Sequence, residues 1–185
     1  KNAKQEHLIN FLTSVRRIGG EYEVVEGGIE FYKPKTLKYF KPIQIETDTH
    51  PGFMTDWQQP FAVLMTQASG DSVIHETIYE DRFGYTNDLI AMGASIEVST
   101  ECKGDLPCRF IDGGYRHSAV IHGPTSLKAA SAVVKDLRSG MVNVIASLIA
   151  EGDSTIFGAE EITRGYEHID ERLRYIGADI TRVDD

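Results

Sequence analysis

An internal repeat constrains the fold of this chain more than any other feature of its sequence. Residues 67–74 read QASGDSVI and residues 149–156 read IAEGDSTI. Each stretch follows an apolar segment that begins at an aspartate, Asp56 in the first copy and Asp136 in the second. The aspartate of each GDS stretch, Asp71 or Asp153, is followed eleven residues later by an arginine, Arg82 or Arg164. Because repeated units stack around shared apolar faces, the repeat favours an α/β fold whose helices pack inside or between sheets.

Hydrophobic patterning and turn residues predict the elements within the copies. Helices are expected at residues 5–18, at 56–69 with Gly70 ending it, from Thr86 or Asn87 to Met92, and from Asp136 onward. Strands are expected at residues 22–24, 29–31, 43–47, 72–74, 95–98 and 179–183. The chain is therefore predicted to be one domain, with residues 1–42 as the tail of one unit, 43–125 as a second unit and 126–185 as a third.

Composition excludes several classes of function. The chain has 185 residues, 41% of them hydrophobic, with a net charge of −9. An acidic surface argues against non-specific nucleic-acid binding, which needs basic residues. No apolar run is long enough for a membrane span, and no signal-peptide pattern opens the chain. A start at Lys1 leads us to expect a piece of a longer protein, and two cysteines indicate a reduced, cytoplasmic one.

Acids and arginines recur at the starts of the units. If these starts meet at one end of the domain, five side chains are expected to converge there: Asp56, Arg82, Asp136, Arg138 and Arg164. Helix N-termini and guanidinium groups both direct donors at oxygen anions, so the pattern suits a phosphate- or carboxylate-bearing ligand. The alternative is structural: the aspartates cap their helices, with Thr55 as a second candidate beside Asp56, and the arginines pair with acids such as Glu80 or Glu160.

Four motifs in order resemble the enolpyruvyl transferases of peptidoglycan synthesis: PGFMTDWQ at 51–58, ETIYEDRF at 76–83, DLR at 136–138 and RGYE at 164–167. The resemblance covers nearly the whole chain. It implies an inside-out α/β barrel, or prism, of βαβαββ units with helices buried within sheets. It also implies that the chain is most of a C-terminal domain.

The resemblance further implies an activity and a set of roles. The expected reaction moves the enolpyruvyl group of phosphoenolpyruvate to the 3-hydroxyl of UDP-N-acetylglucosamine in the cytoplasm, the first committed step of peptidoglycan synthesis, on which cell-wall biogenesis, cell shape and the cell cycle depend. Catalytic roles fall to Asp56, Arg138 and Arg164, with Asp56 as general base and Arg164 on phosphoenolpyruvate. Substrate-binding roles fall to Thr55, Asp56, Ile78, Tyr79, Arg82 and Asp136.

Departures from the family pattern leave alternatives open. The family's reactive cysteine loop belongs to an N-terminal domain that is not in this sequence, so that domain is an expected partner and the chain alone is expected to be inactive. A related enzyme acting on shikimate 3-phosphate and a non-catalytic UDP-sugar-binding paralogue are the alternatives. No cofactor, nucleic-acid partner or membrane is expected.

Two cysteines and two histidines invite a metal interpretation. Cys102, Cys108, His117 and His122 give the spacing C-x5-C-x8-H-x4-H. Structural zinc sites usually use tighter cysteine pairs, so we predict no metal and two free or loosely paired thiols. His75 is interpreted as a surface or satisfied histidine.

Overall fold

The computed structural model describes residues 2–105, 107–134 and 136–183, so the outer ends of the predicted units, at residues 1 and 185, lie outside the described residues. The helices are α1 (Ile9–Arg17), α2 (Thr55–Met65), α3 (Thr86–Ala91), α4 (Leu137–Ile149), α5 (Glu160–Thr163) and α6 (Ile169–Tyr175), with a short 3₁₀ helix at Gln5–His7. The strands are β1 (Glu21–Val25), β2 (Gly28–Tyr32), β3 (Gln44–Glu46), β4 (Gly70–His75), β5 (Ser95–Ser99), β6 (Ser118–Gly123), β7 (Ser131–Val133) and β8 (Thr155–Phe157).

The strands form three sheets. β1 and β2 make an antiparallel hairpin. A four-stranded sheet has the order β3-β4-β6-β5, in which only β3 and β4 are parallel. β7 and β8 form a parallel pair. The chain from β3 to β6 thus runs β-α-β-α-β-β, and the later part repeats its opening as β7-α4-β8-α5.

Hydrogen bonds show that the sequence repeat is a structural one. The Ser72 hydroxyl accepts from the amide of Ile43, and the Ser154 hydroxyl accepts from the amide of Ala130. These two serines occupy the same place in QASGDSVI and IAEGDSTI. In each copy the serine fixes the strand before the helix to the strand after it. The α/β class predicted from the repeat is confirmed.

The two long helices lie in the interior. α2 buries six of its residues and α4 another six, and the two helices pack on each other. The main core joins Ala62, Val63 and Met65 of α2 to Ile74 of β4 and Val142 of α4, all of them fully buried. Helices with so much buried surface are those expected when sheets surround them.

Three sequence predictions about boundaries are wrong. α2 ends at Met65, well before Gly70, and its N-cap is Met54, so neither Thr55 nor Asp56 caps it. Both side chains instead bond to residues on other elements, as described below. Residues 179–183 form no strand; Ile180 packs on a second apolar cluster around Val144 and Ile162.

An exposed ion pair on the four-stranded sheet gives a test of its register. Asp71 and His122 are partners across β4 and β6, with 2.7 Å between Asp71 Oδ1 and His122 Nδ1. The hydrogen bond that His122 donates to Asp71, with the nearby Glu97 carboxylate, raises the pKa of His122 above its usual value of about 6.5. Because the folded pKa is the higher one, the pair stabilises the fold below pH about 6.5, and this contribution is lost as pH rises through the folded pKa.

We therefore expect Asp71→Asn to lower the pKa of His122 toward about 6.5, as measured by titrating the imidazole proton signals by NMR. The stability difference between the two proteins should vanish at alkaline pH. A His122 pKa that is the same in both proteins would contradict the pairing.

Candidate active site

The Asp56 carboxylate, in the first turn of α2, is held by two arginines from separate parts of the chain. Arg138 in the first turn of α4 donates from Nε to Asp56 Oδ1 at 2.6 Å. Arg82, in the loop after β4, donates from Nη2 to the same oxygen at 3.2 Å. Among the described residues, no group donates to Asp56 Oδ2, and the side chain is 58% exposed. One carboxylate oxygen is thus fixed and the other is open to a ligand.

Asp136 is the N-cap of α4, as the structural alternative expects. Its Oδ1 accepts from the backbone amides of Arg138 and Ser139, and the Ser139 hydroxyl donates to Oδ2 at 2.6 Å. Burial opposes ionisation, but these hydrogen bonds and the charge of Arg82 outweigh it and lower the pKa of Asp136. Asp136 is therefore a fixed anion that orients the start of α4, and with it Arg138.

The Arg82 guanidinium retains an unused donor. Its side chain is 16% exposed and lies 5.0 Å from the centre of the Tyr79 ring. Its Nε is buried, and no protein acceptor in the described part of the chain lies within hydrogen-bond distance. A buried guanidinium N–H without a partner is costly.

Glu76 organises the loop beside the two arginines, and sequence reasoning missed it. Its fully buried carboxylate accepts from the Thr55 hydroxyl, the Gln58 amide and the backbone amides of Ile78 and Tyr79, at 2.8–3.1 Å. These four donors join the start of α2 to the loop after β4. The sequence carried little signal for this, because a glutamate is usually exposed unless it is paired.

Arg164 lies apart from the other predicted residues. Its side chain is 72% exposed and pairs with Glu161 at 2.6 Å. Tyr166, two residues later, is nearer than Arg164 to Asp56 and Arg138. Burial and the Asp56 charge raise the pKa of Tyr166, and the charge of Arg138 opposes this rise. The structure thus brings together Asp56, Arg82, Asp136 and Arg138 with the Ile78–Tyr79 loop, and places Arg164 outside that group.

The histidine and cysteine predictions need two corrections. His122 does not join Cys102, Cys108 and His117, because it pairs with Asp71. His75 is neither exposed nor satisfied: it is fully buried, and its Nε2 has no hydrogen-bond partner among the described residues. The ligand atoms of His75, Cys102, Cys108 and His117 all lie within 4.8 Å of one another.

A separate cleft of about 620 Å³ lies between α4, β8 and the C-terminal segment, and includes Leu148, Ile156 and Ile180 in its lining. None of the residues that converge on Asp56 lines it. No helix in the described ranges is long and apolar enough to cross a membrane.

Comparison with known proteins places this geometry in a family. The family described as EPSP synthase (3-phosphoshikimate 1-carboxyvinyltransferase) matches residues 1–173. A UDP-N-acetylglucosamine 1-carboxyvinyltransferase of Chlamydia trachomatis serovar D is 48% identical over all 185 residues, which cover 41% of that relative. A UDP-N-acetylglucosamine 1-carboxyvinyltransferase 2 of Listeria monocytogenes is 37% identical over 98% of the chain and 38% of its own length.

Solved structures agree on the fold. The enolpyruvyl transferase NikO from Streptomyces tendae has a TM-score of 0.78 at 24% identity, over 94% of this chain and 36% of that one. EPSP synthase from Acinetobacter baumannii has a TM-score of 0.66 at 17% identity, over 98% of this chain and 38% of that one.

The fold and the paired-arginine site define an enolpyruvyl-transferase-type α/β domain. The chain belongs to the EPSP synthase family, as the resemblance indicated. It spans about 40% of the length of the curated relatives it matches.

Proposed function

We propose that the protein containing this chain transfers the enolpyruvyl group of phosphoenolpyruvate to the 3-hydroxyl of UDP-N-acetylglucosamine, in the cytoplasm and as a step of peptidoglycan synthesis. The observation that carries the proposal is the Asp56 carboxylate, with one oxygen fixed by Arg82 and Arg138 and the other open. The choice of substrate is supported by a relative at 48% identity that is named UDP-N-acetylglucosamine 1-carboxyvinyltransferase.

Asp56 is the proposed general base. As the 3-hydroxyl adds to C2 of phosphoenolpyruvate, a C–O bond forms, the hydroxyl proton leaves to Asp56 Oδ2, and C3 of phosphoenolpyruvate gains a proton. Loss of phosphate from C2 and of a proton from C3 then restores the double bond. A carboxylate within hydrogen-bond reach of the hydroxyl is what this proton transfer requires.

The arginines and the loop after β4 are the proposed binding surface. Arg82 offers its guanidinium group to an oxygen of the nucleotide sugar, while Ile78 and Tyr79 are held in place by Glu76. Thr55 and Asp136 complete the substrate contacts. Arg138 balances the charge of Asp56 and of the reacting oxygens; the hydrogen bond that it donates to Asp56 raises the pKa of Arg138, so that it stays protonated.

Arg164 is the proposed phosphoenolpyruvate ligand in a closed state. It is 72% exposed and, among the described residues, is held only by Glu161, three residues earlier, so it is free to turn toward a substrate. The reactive cysteine loop would belong to an N-terminal partner domain, so this chain alone is predicted not to convert the substrates to product.

The test is phosphate release by the full-length protein from phosphoenolpyruvate with either UDP-N-acetylglucosamine or shikimate 3-phosphate as acceptor. We expect release with the UDP-sugar only, and an increase in KM for it of about tenfold or more in Arg82→Lys, because a lysine ammonium cannot make the fork of bonds. Arg109→Lys is the matched control, since Arg109 is exposed and pairs with Glu80.

Phosphate release only with shikimate 3-phosphate would instead identify the protein as an enolpyruvyl transferase acting on that acceptor. Binding of UDP-N-acetylglucosamine without release would instead identify a non-catalytic paralogue. Phosphate release by residues 1–185 alone would contradict the need for a partner domain.

A further inference from the structure

Four side chains of ligand type form a cluster that the proposed reaction does not use. His75 ends β4, His117 directly precedes β6, and Cys102 and Cys108 lie in the connection between β5 and β6. The two histidines are fully buried and the two thiols are partly buried. Their ligand atoms lie within 4.8 Å of one another.

The hydrogen-bond network fixes the tautomer of His75. The Ser118 hydroxyl donates its single proton to the Glu101 carbonyl, at 2.5 Å. Ser118 Oγ therefore accepts from His75, which must carry its proton on Nδ1, at 2.8 Å. His75 Nε2 is left with a lone pair, fully buried and without a hydrogen-bond partner in the described ranges. An imidazole nitrogen with a free lone pair of this kind is available to coordinate a metal ion.

The same reasoning applies to His117. A backbone carbonyl can only accept, so the 2.7 Å contact with the Tyr115 oxygen places the proton of His117 on Nδ1. Its Nε2 lone pair faces the Cys102 sulfur at 3.2 Å. Both histidines thus present Nε2 to the cluster and are oriented from behind by an oxygen, as metal-bound histidines commonly are.

The spacing fits a tetrahedral ion. Zinc binds sulfur at about 2.3 Å and imidazole nitrogen at about 2.0 Å, so neighbouring ligand atoms in a tetrahedron are roughly 3.3–3.8 Å apart. The Cys102 to His117 distance is already close to that, and the remaining pairs are within 4.8 Å. Side-chain rotations would bring the four atoms onto one ion.

The surroundings favour a cation. The Glu46 carboxylate lies 3.8 Å from His75 Nε2 and accepts from the amide of Asp105 at 2.9 Å. Gly104 lets the loop close, because a Cβ there would overlap Glu46 and the His75 ring.

We propose that His75, Cys102, Cys108 and His117 bind a Zn²⁺ ion in a structural Cys₂His₂ site. Two thiolates and two imidazoles suit zinc, and four protein ligands leave no open position for catalysis. The ion ties the β5–β6 connection to the ends of β4 and β6. Because Glu76 directly follows His75, the site also anchors the carboxylate that holds Thr55 and the Ile78–Tyr79 loop.

The test is the metal content of the full-length protein, purified under reducing conditions and analysed by plasma mass spectrometry. We expect about one zinc per chain, lost in Cys102→Ser and in His75→Ala. His122→Ala is the matched control: it removes a histidine that sequence spacing suggested as a ligand, and it should retain zinc. A chelator should also lower the Tm of the wild-type protein and leave the Tm of Cys102→Ser unchanged.

Cobalt binding keeps the proposal testable if a variant fails to fold. Co²⁺ added to metal-free wild-type protein should give thiolate-to-cobalt absorption and the visible bands of tetrahedral geometry, both abolished by one equivalent of Zn²⁺. Absence of zinc with two reactive thiols, a Cys102–Cys108 disulfide, or full zinc content in Cys102→Ser would each overturn the site. Loss of phosphate transfer in an otherwise zinc-loaded protein would bear only on the proposed function.

Discussion

Replacing Asp56 with asparagine is expected to lower kcat of the full-length protein by about 10³-fold, within the usual range for loss of a general base. The substitution keeps an oxygen for the two arginine contacts, at 2.6 and 3.2 Å, but removes the group that takes the proton. KM for the UDP-sugar should therefore change much less than kcat. The measurement is steady-state phosphate release at saturating phosphoenolpyruvate.

Asp153→Asn is the control for the Asp56 variant. Asp153 corresponds to Asp71 in the repeat and is exposed. Its replacement by asparagine removes the same charge as Asp56→Asn, but away from Arg82 and Arg138. It should leave kcat unchanged. An Asp56→Asn protein with wild-type kcat would exclude Asp56 from the proton transfer, and equal losses in both variants would point to net charge instead.

The repeat predicted the fold because it determines packing as well as local structure. Ser72 and Ser154 stand at the same place in two sequence copies and make the same bond to the preceding strand. Residues 179–183 show the limit of this reasoning. The hydrophobic pattern that predicts a strand there is local, whereas a strand also needs a neighbouring strand, and Ile180 packs on an apolar cluster instead.

The site was predicted in part for the same reason. Asp56, Arg82, Asp136 and Arg138 all lie at starts of units or in the loop after β4, and the repeat brings those positions together. The direction of a long, exposed side chain does not follow from its position. Arg164 matches Arg82 in the repeat, yet it pairs with Glu161 on its own short helix.

Contacts between residues far apart in sequence were the least predictable. His75 lies 27 residues before Cys102, so no spacing motif joins it to the cysteines. His122 was the nearer candidate in sequence, but the β4–β6 register places it opposite Asp71. Side-chain pairing across strands depends on register, and register follows from how the strands pack and not from the spacing of residues along the chain.

Replacing Glu76 with alanine is expected to lower the free energy of unfolding by about 4 kcal/mol, because four donors lose their shared, fully buried acceptor. Glu76→Gln should cost about 1–2 kcal/mol. Its carbonyl can keep the Ile78 and Tyr79 amides, and its NH₂ can donate to Gln58, whose own Oε1 is buried without a partner among the described residues. Urea unfolding of the full-length protein measures both values.

Hydrogen exchange distinguishes this local role from a general loss of stability. In Glu76→Ala the amides of Ile78 and Tyr79 should exchange faster than in the wild type even under strongly native conditions, while the β4–β6 amides stay protected. Glu80→Ala, which removes an exposed acid paired with Arg109, should change neither exchange nor stability measurably. Glu76 lies between the start of α2 and the loop beside Arg82. Unchanged amide exchange in Glu76→Ala would therefore mean that other contacts order this loop. The proposed binding surface would then not depend on the Glu76 carboxylate.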